Sequence, residues 1–258
     1  MKFVRLILGI ALFWYLLFGM LLMVLERRMI YFPSIQNFSE CPGFADAEKI
    51  NYEGAWFYYK HVSSDKVVVF YHGNAGSACD RSILKDVFEQ SGYSYLFLEY
   101  PGFSGDGRVP SKDAVLGDVV RVQSFLAERG LTHVVLVGES LGSGVASYHA
   151  SLGGIQQVIL LTPYYELADM TGILGKVYPI RYMMRENYTA GKWLRDVMKP
   201  VTVIYAEHDE IIPSGSTQKL FDALRSPGKR MVGIEGGTHN TMYEHRETFE
   251  GLKTVLTR

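Results

Sequence analysis

Short apolar runs recur along the chain from residue 66 onward, and segments with helical spacing separate them. The runs are rich in Val, Ile, Leu and aromatic residues and are too short for helices, so we interpret them as strands. They cover residues 66–71, 95–100, 133–138, 157–162, 201–206 and 230–235. Strands that are apolar throughout are buried on both faces, so the pattern predicts a mostly parallel sheet with helices on both sides.

The segments around these strands predict helices and one hairpin. Ser111 is a suitable N-cap for a helix that runs to about Arg129 and ends at Gly130, because the apolar positions between them follow at spacings of three and four. Further helices are predicted over residues 80–90, 141–152, 216–224 and 241–256. Residues 50–60 are typical of a hairpin that turns at Glu53 and Gly54.

The N-terminal segment is apolar on every side. Residues 6–25 form a run of 20 residues without a charge, and a helix of that length reaches about 30 Å, the thickness of the hydrocarbon core. No small-residue cleavage site follows the run, which favours a retained membrane anchor over a signal peptide. Apolar residues on every face argue against a buried core helix. The sequence therefore predicts an anchor over residues 1–30 and one folded domain over residues 31–258.

Charges near the anchor bear on its orientation. Lys2 and Arg5 precede the apolar run, whereas Arg27 and Arg28 follow it beside Glu26. With the terminal amine, the count favours an N-terminus inside the cell and a domain on the non-cytoplasmic side. Over the whole chain, 26 basic residues balance 27 acidic ones, so charge gives no reason to expect nucleic-acid binding.

The chain has two cysteines, Cys41 and Cys79. Two cysteines are too few for the disulfide framework that holds many small secreted domains together. A single bridge would need their Cα atoms to approach closely, and a sequence does not show that approach. We therefore expect two unpaired thiols.

One strand ends in a serine between glycines. Gly138, Ser140 and Gly142 have the G-x-S-x-G spacing, at the point where the strand of residues 133–138 meets the helix of residues 141–152. A nucleophile there must stand clear of the backbone on a sharp turn, and small neighbours let strand and helix approach. The alternative is a glycine-rich helix start in which the serine is only a cap. The context favours Ser140 as a nucleophile.

A serine nucleophile needs a base and an acid that orients the base. Asp209 follows the strand of residues 201–206, and His239 lies in a glycine-rich loop after the last strand. The order serine, acid, histidine is that of nucleophile-elbow hydrolases. Glu207 or Glu210 could replace Asp209. Of the other histidines, His208 adjoins the acid, and four lie on predicted strand or helix surfaces: His61, His133, His149 and His245.

The attacked carbonyl oxygen needs hydrogen-bond donors that are already in place. The segment "YHGNAG", residues 71–76, follows the first buried strand, where this kind of site draws one backbone N–H. We assign the two donors as the backbone amides of Asn74 and of Leu141, the residue after the nucleophile. The alternative is that His72 and Gly73 form only a turn.

These stretches together resemble the α/β-hydrolase-fold serine hydrolases, and in particular a small branch with an N-terminal membrane anchor that includes lysophospholipid lipases and protein depalmitoylases. The resemblance is carried by "VVVFYHGNAGS", "EYPGFSGDGRVPS", "VVLVGESLGSGVA", "LTPYYELADM", "KPVTVIYAEHDEIIP" and "GGTHN". The chain departs from the branch at Glu99 and Pro101, where Asp and Arg are usual, and at Thr238 before the histidine. The resemblance implies ester or thioester hydrolysis through an acyl-enzyme, without a metal or an organic cofactor.

The segment between the fourth and fifth strands, residues 163–200, is the predicted lid. It is too short for a separate cap domain, so we expect a shallow, open site. Its Met-rich and aromatic residues could line an acyl chain, or one helix could simply pack on the sheet edge. We assign Tyr164, Arg181 and Arg185 to substrate binding, with an arginine meeting a phosphate or carboxylate head group.

We therefore expect a membrane-anchored serine hydrolase of the esterase, lipase or thioesterase type that acts on small-molecule acyl or lipid substrates. The expectation of a lipid substrate comes from the predicted anchor, because an anchor holds the site near a bilayer. Two alternatives remain: a catalytically silent protein that kept the fold and only binds ligands, and a peptidase with the same triad. The sequence indicates neither the acyl donor nor the oligomeric state.

Overall fold

The computed structural model describes residues 1–34 and 36–257. Its strands are β1 (Phe32–Pro33), β2 (Glu48–Tyr52), β3 (Ala55–Lys60), β4 (Lys66–Tyr71), β5 (Ala75–Gly76), β6 (Ser94–Glu99), β7 (His133–Glu139), β8 (Gln157–Leu161), β9 (Val201–Ala206) and β10 (Arg230–Ile234). Its α-helices are α1 (Lys2–Ile30), α2 (Lys85–Gln90), α3 (Lys112–Glu128), α4 (Leu141–Leu152), α5 (Leu174–Val177), α6 (Ile180–Met183), α7 (Ala190–Leu194), α8 (Ser214–Ala223) and α9 (Arg246–Leu256). Short 3₁₀ turns cover Phe38–Glu40, Pro42–Phe44, Ala78–Leu84, Leu167–Thr171 and Met242–Glu244.

Eight strands form one sheet in the order β10-β9-β8-β7-β4-β6-β3-β2. Strands β4 and β6 to β10 are parallel to their neighbours within this set, whereas the β2–β3 hairpin joins β6 antiparallel. The hairpin turns at Glu53 and Gly54, as predicted. Both residues have positive φ, 51° and 93°, which the tight two-residue turn of a hairpin requires.

Both faces of the sheet are covered. In β4, Val67 and Val69 face one apolar cluster with α3, α4, α7 and α8, and Val68 and Phe70 face the other with α2 and α9. This arrangement explains why the central strands read as continuous apolar runs, because alternate side chains enter different cores. The predicted mostly parallel sheet with helices on both faces is confirmed.

Two predicted helices begin later than expected. The predicted helix of residues 80–90 starts as the 3₁₀ turn Ala78–Leu84, which is capped by reciprocal hydrogen bonds between Ser77 and Asp80, and only then becomes α2. The predicted helix of residues 241–256 likewise starts as Met242–Glu244 before α9. Ser111 caps α3 as predicted, through a bond from the Ala114 N–H.

Cys41 and Cys79 form a disulfide, so the expectation of unpaired thiols is wrong. Their Cα atoms lie 5.8 Å apart, within the range that a bridge requires. The two residues lie at the starts of the 3₁₀ turns Pro42–Phe44 and Ala78–Leu84, which pack against each other. That packing depends on tertiary structure and could not be read from a separation of 38 residues.

His149 is a second correction. We expected it on a helix surface, but it is buried and its Nδ1 lies 2.6 Å from the Tyr71 hydroxyl. The helix that carries it, α4, is covered on nearly every side, because its small residues let neighbouring segments approach. At Gly144, for example, a Cβ would collide with the Tyr164 hydroxyl and with Tyr188.

Helix α1 contains 29 residues, and its most apolar 18-residue window has a mean hydropathy of 2.5. Only 6% of that window is buried, so its side chains are open to the surroundings along most of the helix. Length and composition suit a membrane span, and they suit a signal sequence equally. The last turns of α1 lie against the segment of residues 163–200, hereafter the lid.

Candidate active site

Ser140 lies on the sharp turn between β7 and α4. Its φ of 50° and ψ of −115° lie in a region that non-glycine residues avoid, and such strain persists only where the surroundings impose it. The flanking glycines explain how the turn fits. A Cβ at Gly138 would collide with the Gly142 backbone, and a Cβ at Gly142 with the Tyr71 and His72 carbonyl oxygens.

The structure brings Ser140, His239 and Asp209 together. The Ser140 Oγ lies 3.0 Å from His239 Nε2, and His239 Nδ1 lies 2.9 Å from Asp209 Oδ2. The imidazole tautomer protonated at Nδ1 satisfies both contacts, because Nδ1–H then donates to the carboxylate and Nε2 accepts from the serine hydroxyl. Glu210 instead accepts the backbone N–H of His239 at 3.1 Å. The carboxylate that faces the imidazole is therefore Asp209.

The Asp209 carboxylate is held ionised. Burial disfavours its charge, but hydrogen bonds from His239 and from the backbone N–H groups of Ile212 and Ile211, together with the nearby imidazole, outweigh burial and lower its pKa. The two backbone bonds are 2.7 Å and 3.0 Å long. They hold the carboxylate beside His239 Nδ1, while His239 Nε2 lies next to the Ser140 hydroxyl.

The two assigned oxyanion donors line the same cavity as Ser140. Leu141 is the first residue of α4, so its N–H belongs to the helix start, where backbone donors have no partner within the helix. The backbone of Asn74 is fixed by its own contacts. Its carbonyl oxygen accepts from the Phe32 N–H at 2.9 Å, and its side-chain amide donates to the Ile30 carbonyl at 2.8 Å.

A partly buried ion pair lies next to Ser140, and the sequence did not predict it. The Arg81 guanidinium donates two hydrogen bonds to the Glu139 carboxylate, at 2.7 Å and 2.8 Å, and the Tyr243 hydroxyl donates a third at 2.7 Å. Burial would raise the pKa of Glu139, but the charge and hydrogen bonds of Arg81 lower it overall. The available sign in the sequence was the position of Glu139 at the end of an apolar strand. A carboxylate there requires a cationic partner, but the sequence does not identify that partner.

Glu99, one of the departures from the resembled branch, supports the segment after Asn74. Its buried carboxylate accepts the backbone N–H of Ala78 at 3.2 Å and the Ser104 hydroxyl at 2.7 Å. The ring of His72 lies against it, with Nε2 3.3 Å from Glu99 Oε1. The longer side chain at position 99 therefore bonds to the segment that follows β5.

Only one of the three residues assigned to substrate binding lies at this cavity. Tyr164 lines it and donates its hydroxyl to the Leu141 carbonyl oxygen at 3.1 Å. Arg181 lies outside and pairs with Glu166 at 2.5 Å and, more distantly, with Asp169. Arg185 also lies outside the lining, with an exposed side chain and a backbone N–H that donates to Glu26.

The cavity at Ser140 differs in its boundary from the shallow, open site that we expected beside the lid alone. It encloses about 330 Å³, within the range of small-molecule sites. The difference arises because helix α1 supplies a second wall opposite the lid, with Leu22, Met23 and Ile30 among the lining residues. The length of the lid alone could not reveal this wall.

Comparison with known proteins identifies distant relatives. No protein-family model matches the chain. The uncharacterized protein Rv2307c of Mycobacterium tuberculosis is 28% identical over 246 residues, which cover 90% of this chain and 87% of that protein. Among solved structures, the Pyrococcus furiosus esterase Pf2001 matches with a TM-score of 0.69 and 17% identity, over 88% of this chain and 96% of that one. The Paleococcus ferrophilus monoacylglycerol lipase matches with a TM-score of 0.59 and 17% identity, over 78% and 96%.

Proposed function

The chain has the α/β-hydrolase fold, and we propose that it is a membrane-anchored serine hydrolase that cleaves carboxylic ester or thioester bonds of acyl-chain substrates. The observation that carries the proposal is the hydrogen-bonded series Ser140–His239–Asp209 at the wall of an apolar cavity. The proposal includes residues 1–30 as anchor and residues 31–258 as the catalytic domain.

The geometry supports an acyl-enzyme mechanism. The Ser140 Oγ attacks the carbonyl carbon while His239 Nε2 takes its proton, and the backbone N–H groups of Asn74 and Leu141 hold the oxyanion. The tetrahedral intermediate then collapses, the bond to the alcohol or thiol breaks, and His239 returns the proton to that leaving group. Water attacks the acyl-enzyme in the same way, with His239 as base, and releases the carboxylic acid and free Ser140.

The character of the cavity supports an acyl chain as the part of the substrate that it holds. Its lining is mostly aliphatic and Met-rich, and methionine side chains adapt to the shape of a flexible chain. The solved structures that share the fold include an esterase and a monoacylglycerol lipase. Those names support the ester part of the proposal.

Two features support a catalytic domain on the non-cytoplasmic side. The basic residues that precede the apolar run favour an N-terminus inside the cell. The Cys41–Cys79 disulfide is typical of proteins in an oxidising compartment. Neither feature depends on the other.

The serine assignment is tested with full-length protein in detergent micelles, by hydrolysis of p-nitrophenyl butyrate and by labelling with a fluorophosphonate. We expect wild type to be active and labelled, and Ser140→Ala to lose both properties. Ser151→Ala is the matched control, because Ser151 is exposed at the far end of the same helix, and we expect it to behave as wild type.

A folded Ser140→Ala protein with undiminished hydrolysis would refute the assignment. Wild type that neither reacts with the probe nor hydrolyses esters would favour the catalytically silent alternative. Cleavage of a peptide library by wild type, with no hydrolysis of esters, would favour the peptidase.

A further inference from the structure

The cavity at Ser140 has two apolar walls from distant parts of the chain. Ser140 and Leu141 lie at its base. One wall belongs to α1 and consists of the apolar residues Leu22, Met23, Met29 and Ile30 together with Glu26. The other belongs to the lid and includes Met170, Leu174, Ile180, Met183 and Met184. The reacting serine therefore lies at the end of a cleft whose long sides are the anchor helix and the lid.

Polar contacts hold the end of α1 against the lid. The Glu26 carboxylate accepts the backbone N–H groups of Arg185 at 3.2 Å and of Glu186 at 2.7 Å. The buried Glu186 carboxylate in turn accepts from Arg27 at 3.0 Å and from the Tyr31 hydroxyl at 2.8 Å. Charged groups on both sides thus fix the two walls at the end of the cleft nearest the folded domain.

A second set of contacts joins the lid to the middle of α1. The rings of Tyr15 and Tyr178 stack with centroids 4.4 Å apart. The Tyr15 hydroxyl donates to the Val177 carbonyl oxygen at 3.0 Å, and the Tyr178 hydroxyl to the Tyr15 carbonyl oxygen at 2.9 Å. At Gly19, a Cβ would come within 3.0 Å of the Tyr178 ring, so glycine permits this close approach.

If α1 spans a bilayer as proposed, these contacts place the part of the lid that touches Tyr15 within the membrane. A span needs about 20 apolar residues, and α1 provides them only if residues 6–25 are all within the hydrocarbon core. Tyr15 then lies ten residues before the end of the span, which is about 15 Å deep at 1.5 Å per residue. The lid residues that contact Tyr15 then lie at the same depth. The exposed lid side chains nearby are mostly apolar, with Ile173 75%, Val177 53% and Tyr182 88% accessible, and they also include the charged residues Lys176 and Arg181.

From this geometry we infer that the acyl chain of the substrate reaches Ser140 directly from the bilayer, through the cleft between α1 and the lid. The inference rests on the proposed hydrolase function and adds that the anchor helix is part of the acyl-binding site. The ligand is a lipid ester or a thioester-linked acyl group whose chain already lies in the same leaflet. Such a chain moves from one apolar environment to another, so it reaches the serine without exposure to water.

The first test compares chain lengths in full-length protein reconstituted in phosphatidylcholine nanodiscs. The substrates are p-nitrophenyl butyrate, which is too short to fill the cleft, and p-nitrophenyl palmitate. Leu22→Trp places a large ring in the cleft, and we expect it to lower kcat/KM for palmitate at least tenfold more than for butyrate. Val24→Trp is the matched control, because Val24 is 71% exposed and does not line the cavity, and we expect the wild-type ratio.

The outcomes separate the inference from the proposed function. If Leu22→Trp retains the wild-type palmitate-to-butyrate ratio, the cleft is not the path of the chain, although the hydrolase assignment stands. If Val24→Trp changes the ratio as much as Leu22→Trp does, a general effect on α1 explains both and the inference fails. Loss of butyrate hydrolysis in Ser140→Ala tests the function alone.

A second test does not depend on any variant folding. Wild-type protein in the same nanodiscs is labelled with a hexadecyl fluorophosphonate that carries a diazirine near the end of its chain, then irradiated and digested. We expect Ser140 to carry the phosphonate and the cross-links to fall on residues 22–30 of α1 and residues 170–184 of the lid. Cross-links confined to other segments would overturn the inference, and absence of labelling at Ser140 would overturn the proposed function with it.

Discussion

The pair Arg81–Glu139 adjoins the proposed nucleophile and has a measurable energetic role. Their side chains are only 20% and 14% exposed, and removal of one partner of a buried pair costs about 3–5 kcal/mol because the other charge stays buried. Tyr243 still donates to Glu139 in an Arg81→Met variant, so we expect the lower end of this range. For a chain of this size, about 3 kcal/mol lowers Tm by roughly 6–12 °C.

The same pair also joins the loops that carry the candidate catalytic residues. Arg81 lies in the turn after the Asn74 segment, Glu139 precedes Ser140, and Tyr243 lies four residues after His239. Release of this three-way contact displaces the nucleophile relative to its base. We therefore expect Arg81→Met to lower kcat and the rate of fluorophosphonate labelling more than it changes KM, and Arg81→Lys to lie between, since lysine keeps the charge without the bidentate fork.

A double-mutant cycle in detergent micelles measures the coupling. Glu139→Gln in the Arg81→Met background removes the uncompensated charge, so the double variant is expected to be more stable than the sum of the single changes predicts, by about 1–3 kcal/mol.

The stability that this pair contributes also depends on pH. In wild type Arg81 lowers the pKa of Glu139, so the Glu139 carboxylate contributes stability above its unfolded pKa of about 4.3, and this contribution is lost as pH falls through the lower folded pKa. In Arg81→Met, burial is no longer opposed by the arginine and raises that pKa, so the deficit is full at neutral pH and shrinks as pH falls through the raised folded pKa. Additive single effects, or a deficit that does not change with pH, would refute the reasoning.

Two further predictions concern stability alone. Burial lowers the pKa of His149 to about 4, below the unfolded value of about 6.5. The unfolded chain therefore takes up a proton first as pH falls, and stability is lost between these two values. Thermal scans of the wild type in micelles should show a loss of about 3 kcal/mol that the His149→Gln variant lacks, and equal pH slopes for the two proteins would contradict this. Cys41 and Cys79 are separated by 38 residues, so their bridge removes about 4 kcal/mol of chain entropy from the unfolded state. We expect reduction with dithiothreitol and the double variant Cys41→Ala/Cys79→Ala to lower Tm equally. An unchanged Tm under reduction would show that the bridge does not form.

The sheet and the three candidate catalytic residues could be predicted because each has a local signal. Apolar runs report burial on both faces, and Ser140, Asp209 and His239 each follow one of those runs, at the strand ends where this fold gathers its ligands. Parallel strands bring these ends to one edge of the sheet. Ser140 and Asp209, 69 positions apart, and Asp209 and His239, 30 positions apart, can therefore be expected to meet although the sequence gives no direct sign of the contact. The roles of the three residues stay proposals for the assays above.

The partners of buried polar groups could not be predicted. Glu139 binds Arg81 and Tyr243 across separations of 58 and 104 residues, and no spacing rule connects them. His149 was placed on a surface because α4 was treated as an ordinary amphipathic helix. The small residues of that helix were the available sign that other segments approach it closely, as Tyr164 does at Gly144.

The end of α1 contacts the loop of Asn74, and this contact bears on the proposal that the anchor is retained. The Ile30 carbonyl, at the end of α1, accepts the Asn74 side-chain amide, and the next residues form β1, which pairs with β5 directly after Asn74. Cleavage of a signal peptide near the end of the apolar run would remove the α1 wall of the cavity and the Ile30 contact to the loop that supplies a proposed oxyanion donor. Under the proposed function, a retained α1 would hold the protein at the bilayer and would also line the cavity. Retention of α1 is therefore part of the proposal for the site as well as of the proposal for membrane attachment.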